Sequence, residues 1–317
     1  MLNRNREEGH EHLYRDYFAD NCVYGAKDFK RRFRLSRNVF LRITNALQSR
    51  YDARGRQGFT TLQKYAAGIR LMAMRELPDT MDDYMRMSER TARESLYTLS
   101  RGVVETFGDV YLRKPSLHDL QELYATHEER HEFPGMIGSI VAHTGNGKIS
   151  PIFNDLLNGK ALDAPFTVNG NEYKYGYYLT DGIYPQYSTF VKAFCHPVEE
   201  RDNFFKRRQE GSRKDVERAF GVLKAKWHIV EHAARPSDLE TLRYIMYACI
   251  IIHNMVVEDK GRNIAHYIPT KPRHVQFQPG TTDYLHRVVE IQDATKHKQL
   301  REDLADYIFY GNNNDNG

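Results

Sequence analysis

An acid closes the apolar stretch YYLTDGIYP, and 36 positions later a second acid stands in the basic helical stretch SRKDVERAFGVLKAKW. These are Asp181 and Glu217. An acid ending a hydrophobic strand, paired with one on a helix, is the kind of carboxylate set that holds divalent metals for phosphodiester chemistry. There two cations clamp the attacking and leaving oxygens. The pattern puts one acid at a strand end and the other on a helix. A third carboxylate upstream completes such a set, and none is found in the expected place.

The 317 residues suffice for one large or two ordinary domains, and 40% hydrophobic with 28% charged residues is a globular composition. The formal charge is only +4, so distribution matters more than sum. Arg201 to Lys226 holds nine Lys or Arg against four acids, and Lys27 to Arg37 six against one. Such runs are either solvated helix faces or a nucleic-acid surface. Cys22, Cys195 and Cys249 are too few and too scattered for a disulfide framework or zinc knuckle, which suits a reducing compartment. The N-terminal MLNRNREEGHEHLYRDYF lacks the apolar stretch of a secretory signal. YIMYACIIIHNMVV is too short for a membrane span and reads as a buried helix, with His253 hydrogen-bonded inside the fold.

After a polar leader, Phe33, Leu35, Val39, Phe40, Ile43 and Leu47 recur at mostly helical intervals. Leu62, Tyr65, Ile69 and Met72 predict a helix ending near Pro78, and Thr80 with Asp83 opens a short second one. Ser88 is the expected N-cap of a third, with Leu96, Leu99, Val103 and Phe107 inward and Gly108 at its end. That order is the layout of a helix-turn-helix, whose last helix presents Arg90, Arg93, Tyr97 and Arg101 as a DNA face. A plain three-helix bundle has the same spacing. Lys114 to Glu132 reads as a polar helix, after which Phe133-Pro134-Gly135 opens strand-like sequence. SPIFNDLLNGKA reads as a short helix capped by Ser150, and FTVNGNEYKYGYYLTD as strands around an Asn169-Gly170 turn. Ser212 to Lys226 is expected to be helical with Val216, Phe220, Leu223 and Trp227 inward, and Leu239 to Val257 forms a more buried helix. Asp215, two residues from Glu217, points about 200° away from it on a helix. Lys214 and Arg218 either steady DNA phosphates or pair with Asp215 and Glu217.

Six blocks in order, FPGMIGSI, LLNGKA, FTVNGNEY, GYYLTDGIYP, RKDVERAFGVLKAKW and ACIIIHNMVVEDK, together with DYFAD, FKRRFRLSRNVFLRI and TTLQKYAAGIRLMA upstream, resemble plant PIF/Harbinger transposases and the nucleases derived from them. The resemblance spans roughly Tyr14 to Lys260. It implies an α/β fold with an RNase H-like DDE core behind an all-α, helix-turn-helix-like region: a leader at 1–28, helices at 29–132, the core at 133–260 and a C-terminal tail at 261–317. Asp181 matches the second catalytic Asp and Glu217 the final Glu. The implied cofactor is a pair of Mg²⁺ or Mn²⁺ ions, and the implied partners are DNA and a separate Myb-like DNA-binding protein, in the nucleus and without a membrane. Homo-oligomers fit, and the cytoplasm is the alternative location.

The departure from the family counts as much as the match. In the family GMIGSI is followed directly by the first catalytic Asp, where this chain has Val141, and only the nine residues VAHTGNGKI separate Ile140 from Ser150. Two strands of about five residues with their turns need well over ten. One acid and two strands of the core are therefore expected to be missing, by internal deletion or a gene-model error. With two carboxylates left, at most one weakly held Mg²⁺ is expected. His143 is a poor replacement for a hard ligand, and Asp155 matches no catalytic position. The expected function is that of a degenerate, inactive transposase-derived nuclease. The alternatives are a DNA-binding or interaction protein without catalysis, or an unexpressed mobile-element relic.

Overall fold

The computed structural model describes residues 5–51, 58–74, 84–140, 163–231, 239–261 and 280–314. The Thr80–Asp83 helix start, Val141, His143, the Ser150-capped helix and Asp155 lie outside them. The chain divides into two compact units, Met1–Lys114 with Phe220–Ile268, and Pro115–Ala219 with Pro269–Gly317. No helix among the described residues is long and apolar enough to cross a membrane.

The first unit is helical: α1 (Arg6–Tyr17), α2 (Ala26–Phe33), α3 (Arg37–Tyr51), α4 (Thr61–Ala73) and α5 (Glu89–Tyr111). The expected leader is thus a packed helix, because Leu13 and Tyr17 of α1 are fully buried. Tyr17, Phe29, Phe33 and Phe40 meet edge to face at centroid distances of 5.3 to 5.9 Å, within the range that aromatic pairs favour. The apolar stripe expected as one helix is broken at Arg34, which takes a left-handed conformation with φ 58° and separates α2 from α3.

Thr60 opens α4 with a capping box: its hydroxyl accepts from Gln63 N at 3.2 Å, and its own N–H reaches Gln63 Oε1 at 3.1 Å. Ser88 caps α5 as expected, accepting from Thr91 N at 3.3 Å. Gly108 does not stop α5, which runs to Tyr111 while Leu112 N–H bonds back to Gly108 O. Gly68 lets α4 and α5 approach closely, since a Cβ there would lie 2.9 Å from Leu99 Cδ2 and 3.3 Å from Leu96 Cα.

The unit is completed by chain from beyond the expected boundary: the end of α7 (Glu200–Lys226), α8 (His228–Glu231) and α9 (Leu239–Asp259). The expected core domain at 133–260 therefore gives its last third to the helical unit. Leu223, Trp227, Ile245, Ala248, Ile252 and Met255 share one core with α1–α5.

The second unit is mixed. It begins with α6 (Leu117–His131), held by a Ser116–Asp119 capping box. Three short parallel strands, β1 (Met136–Ser139), β4 (Tyr177–Thr180) and β5 (Phe190–Lys192), form a sheet in the order β1-β4-β5. Between them β2 (Phe166–Val168) and β3 (Asn171–Tyr173) make the expected hairpin, with Asn169 and Gly170 both at positive φ, 49° and 82°. That is the signature of a two-residue turn matching the strand twist. Among the described residues β1 is paired on one side only, by β4.

α7 is longer than the sequence pattern suggests, starting at Glu200 rather than Ser212, and Phe220 is exposed rather than inward. Nor are residues 261–317 a tail. They carry α10 (Thr282–Ile291) and α11 (Ala294–Asn314), and Leu300, Leu304, Ala305 and Ile308 join Phe133, Tyr177 and Leu179 in the core.

One guanidinium ties α11 to α7. Arg201 bonds Asp202, Glu302 and Asp306 at 2.7 to 2.9 Å; burial works against its charge, but Asp306 and Asp202 outweigh it and hold the proton more firmly than usual. Replacing Arg201 by Met takes the guanidinium from Asp202 and Asp306, while Glu302 keeps Arg301 at 3.4 Å. The expected loss is about 1–3 kcal/mol in urea denaturation, and Arg201→Lys should recover only part of it because the planar fork is lost. An unchanged midpoint would show the network to be dispensable.

Candidate functional site

The carboxyl ends of the parallel strands gather the polar groups of the second unit. Tyr177, Leu179 and Thr180 are buried on β4 while Tyr178 is partly exposed, and Asp181 follows Thr180 as the chain turns. Asp181 Oδ1 accepts from Ile183 N at 3.3 Å, closing an Asx turn that fixes the carboxylate.

Helix α7 crosses these strand ends. Gln209, fully buried, donates from Nε2 to Thr180 O at 2.9 Å and to Val191 O at 3.2 Å, joining β4 to β5. One turn on, Arg213 Nη2 lies 3.5 Å from Asp181 Oδ2. One turn further stands Glu217, exposed. Residues four apart on a helix lie about 40° apart, so Gln209, Arg213 and Glu217 form a ladder along one side. Asp181 and Glu217 are thus on converging elements, with Arg213 rather than a second carboxylate in contact with Asp181.

Further positive charge lies close by. Lys192, at the end of β5, donates to Gly182 O at 3.1 Å. Burial pulls its pKa down, while the nearby Cys195 and Asp181 oppose that shift. Tyr184 is buried beside Asp181, and its phenol is pushed up by burial first and by the carboxylate second. Ser139 Oγ, Thr180 Oγ1, Thr189 Oγ1, Gln209 Oε1 and Arg213 Nε are buried without a partner among the described residues.

These residues do not fit a two-ion clamp. One side chain of the expected set is engaged by a guanidinium, the other is exposed, and among the described residues no group of three or more His, Cys, Asp or Glu side chains could hold a metal. Asp215 is not part of the set. It faces α6, where His131 Nε2 lies 2.9 Å from its Oδ2, and it pairs with Arg218 at 3.0 Å. His127, stacked on His131 at 5.9 Å, is pushed toward the neutral form by burial and then by His131.

The expected DNA-contacting residues fall on α5 and α7. Arg90, Arg93 and Arg101 are exposed on α5, each within reach of a glutamate one turn away, Glu94, Glu89 and Glu105. Arg101 also lies over the Tyr244 ring at 5.3 Å, on the wall of a cleft of about 260 Å³ shared with Tyr97, Ser100, Glu240 and Thr241. Lys214 is exposed on α7, and Arg218 resolves to the ion pair with Asp215. Sequence reasoning missed Gln209 and Arg213. The i,i+4 spacing of Arg213 to Glu217 was the available signal.

Residues 147–264 match a protein-family model described as plant transposon protein, a span that contains both Asp181 and Glu217. The match supports a transposase-related family. Residues 9–48 match a second model, described as a domain of unknown function. No curated protein and no solved structure matches the chain.

The Arg213 contact yields a direct test. Arg213→Gln frees the Asp181 carboxylate and is expected to create weak Mn²⁺ binding, read by electron paramagnetic resonance, that a further Asp181→Asn removes. Equal Mn²⁺ uptake by the unaltered chain would show that the guanidinium does not occupy the position.

Proposed function

We propose that this chain is a DNA-binding protein derived from a Harbinger-type DDE transposase and no longer able to cleave DNA. The observation that carries the reading is the plant transposon protein match over residues 147–264, combined with the Arg213 guanidinium on Asp181. The parallel order β1-β4-β5, with an acid after β4 and α7 laid across the strand ends, supports an RNase H-like core shortened after β1. Val141, where the family has its first acid, has no side-chain oxygen to offer a metal.

What remains at the site favours phosphate over metal. Arg213 and Lys192 supply positive charge beside buried hydroxyl groups, and Arg can fork onto phosphate oxygens once Asp181 is displaced. Lys27 to Arg37 and Arg201 to Lys226 supply further positive charge along the chain. Contacts of this kind go to the DNA backbone, orient the duplex and read no sequence. The nuclear location and a Myb-like partner that would choose the sequence belong to the same reading.

The test pairs a plasmid-nicking assay in Mg²⁺ or Mn²⁺ with a salt titration of duplex binding. No nicking is expected, with binding that weakens steeply as salt rises. Cleavage that disappears in Glu217→Gln would replace this reading with an active nuclease, and absence of binding at low salt would remove the DNA function.

A further inference from the structure

A second cluster of polar groups lies in the helical unit, where α7 ends. Lys226 is its last residue, and its Nζ sits 5.2 Å from the centroid of the adjoining Trp227 ring. Trp227 is fully buried, yet its indole Nε1–H has no acceptor among the described residues. α9 carries Cys249 and His253 one turn apart, Cys249 packed in the same buried core as Trp227, with Lys260 just beyond the helix's last residue. Lys226 is within electrostatic reach of Lys260 and of the Cys249 thiol, and both lysines act on His253, whose Nδ1 is also buried without a partner.

This is an unfavourable arrangement by itself. Burial pulls the Lys226 ammonium down to about 8, and the charge of Lys260 adds to the effect. His253 is pushed toward neutrality by burial and then by both lysines. Neither lysine forms an ion pair with a carboxylate among the described residues. The Cys249 thiol cannot compensate, because burial drives its pKa far up and keeps it neutral. Donors held together without an acceptor lack what an oxyanion supplies. The sum of charge selects the ligand. Two ammonium groups carry more positive charge than one carboxylate neutralises, and they match a phosphate, which carries about −1.5 to −2 at neutral pH and offers its oxygens to the indole N–H and the imidazole as well.

We propose that Lys226, Lys260, Trp227 Nε1 and His253 form a binding site for a phosphate group, either free or in the backbone of a nucleic acid. The site is independent of the Asp181 region and does not rest on the transposase reading. Trp227 is the sole tryptophan of the chain, so one indole N–H resonance reports on it directly.

The experiment follows that resonance in ¹H–¹⁵N spectra of the full chain at constant ionic strength, titrating inorganic phosphate against a chloride control, and in a second arm a short DNA duplex. A saturable shift with phosphate but not chloride is expected. Lys226→Met, which keeps the aliphatic stem on the indole, and Lys260→Gln, at an exposed position, should each weaken it roughly tenfold. A duplex that moves the resonance identifies the backbone as the source, and phosphate alone moving it identifies the free anion. If neither ligand shifts the resonance, or if Lys260→Gln leaves the titration unchanged, the site does not exist. That second variant keeps the test decisive should Lys226→Met fail to fold.

Discussion

The carboxamide of Gln209, buried completely, donates to the carbonyls of Thr180 and Val191 together. Strands of three and four residues make a weak sheet, since independent stability needs more area or a helix packed against it. Gln209 supplies the directional part of that support. It locks two strand ends to one rotational setting of α7, and Phe205, one turn earlier, fills the apolar layer beneath. Once α7 is set, helical geometry places its other side chains: Arg213 arrives over Asp181, and Glu217 comes one turn later on the same side. A rotation of the helix by one residue, about 100°, would separate Gln209 and Arg213 from the strand ends.

The charge balance at this place is a result of that setting. An Asp fixed by its own turn and approached by Arg213, with Lys192 on the neighbouring strand, sits in positive surroundings provided by the chain itself. The arrangement that helps a carboxylate attract a cation, crowding by other acids, is replaced here by its opposite. A partly exposed ion pair of this length contributes at most about 1 kcal/mol to stability. Its larger effect is on what can approach, because an incoming cation must displace a guanidinium while an incoming anion finds one in place.

Local patterns were legible in the sequence and long-range partners were not. Asn169-Gly170, Ser88 and the stripe Leu96, Leu99, Val103, Phe107 each encode their structure within a few residues, and each is found where expected. The α1 helix shows only Leu13 and Tyr17 as large buried apolar side chains, too sparse a stripe to stand out in a charged segment. The stripe Leu300, Leu304, Ala305, Ile308 is a proper helical period, obscured by the polar residues beyond it. Phe220 fits the spacing of Val216 and Leu223 yet is exposed, since a helix stripe is buried only where neighbours reach it. At the site, Asp181 was found because strand and turn announce it. Gln209 and Arg213 act through carbonyls and a carboxylate 18 to 32 positions away, and the i,i+4 spacing to Glu217 marks a shared helix side without naming those partners.

The hairpin β2–β3 has a further implication for how the molecule comes into being. Asp303 on α11 holds it from three sides: its carbonyl accepts from Asn169, and its carboxylate accepts from Asn171 and from the Tyr173 hydroxyl. Asn171 and Asp303 are 132 positions apart. Local helices of the first unit can form as they leave the ribosome, but the sheet of the second unit waits for nearly the whole chain, with its apolar face uncovered in the interval. A frameshift or early stop upstream of Leu300 would therefore not trim the protein but strand that face in water, turning a folding polypeptide into a substrate for chaperones and proteases.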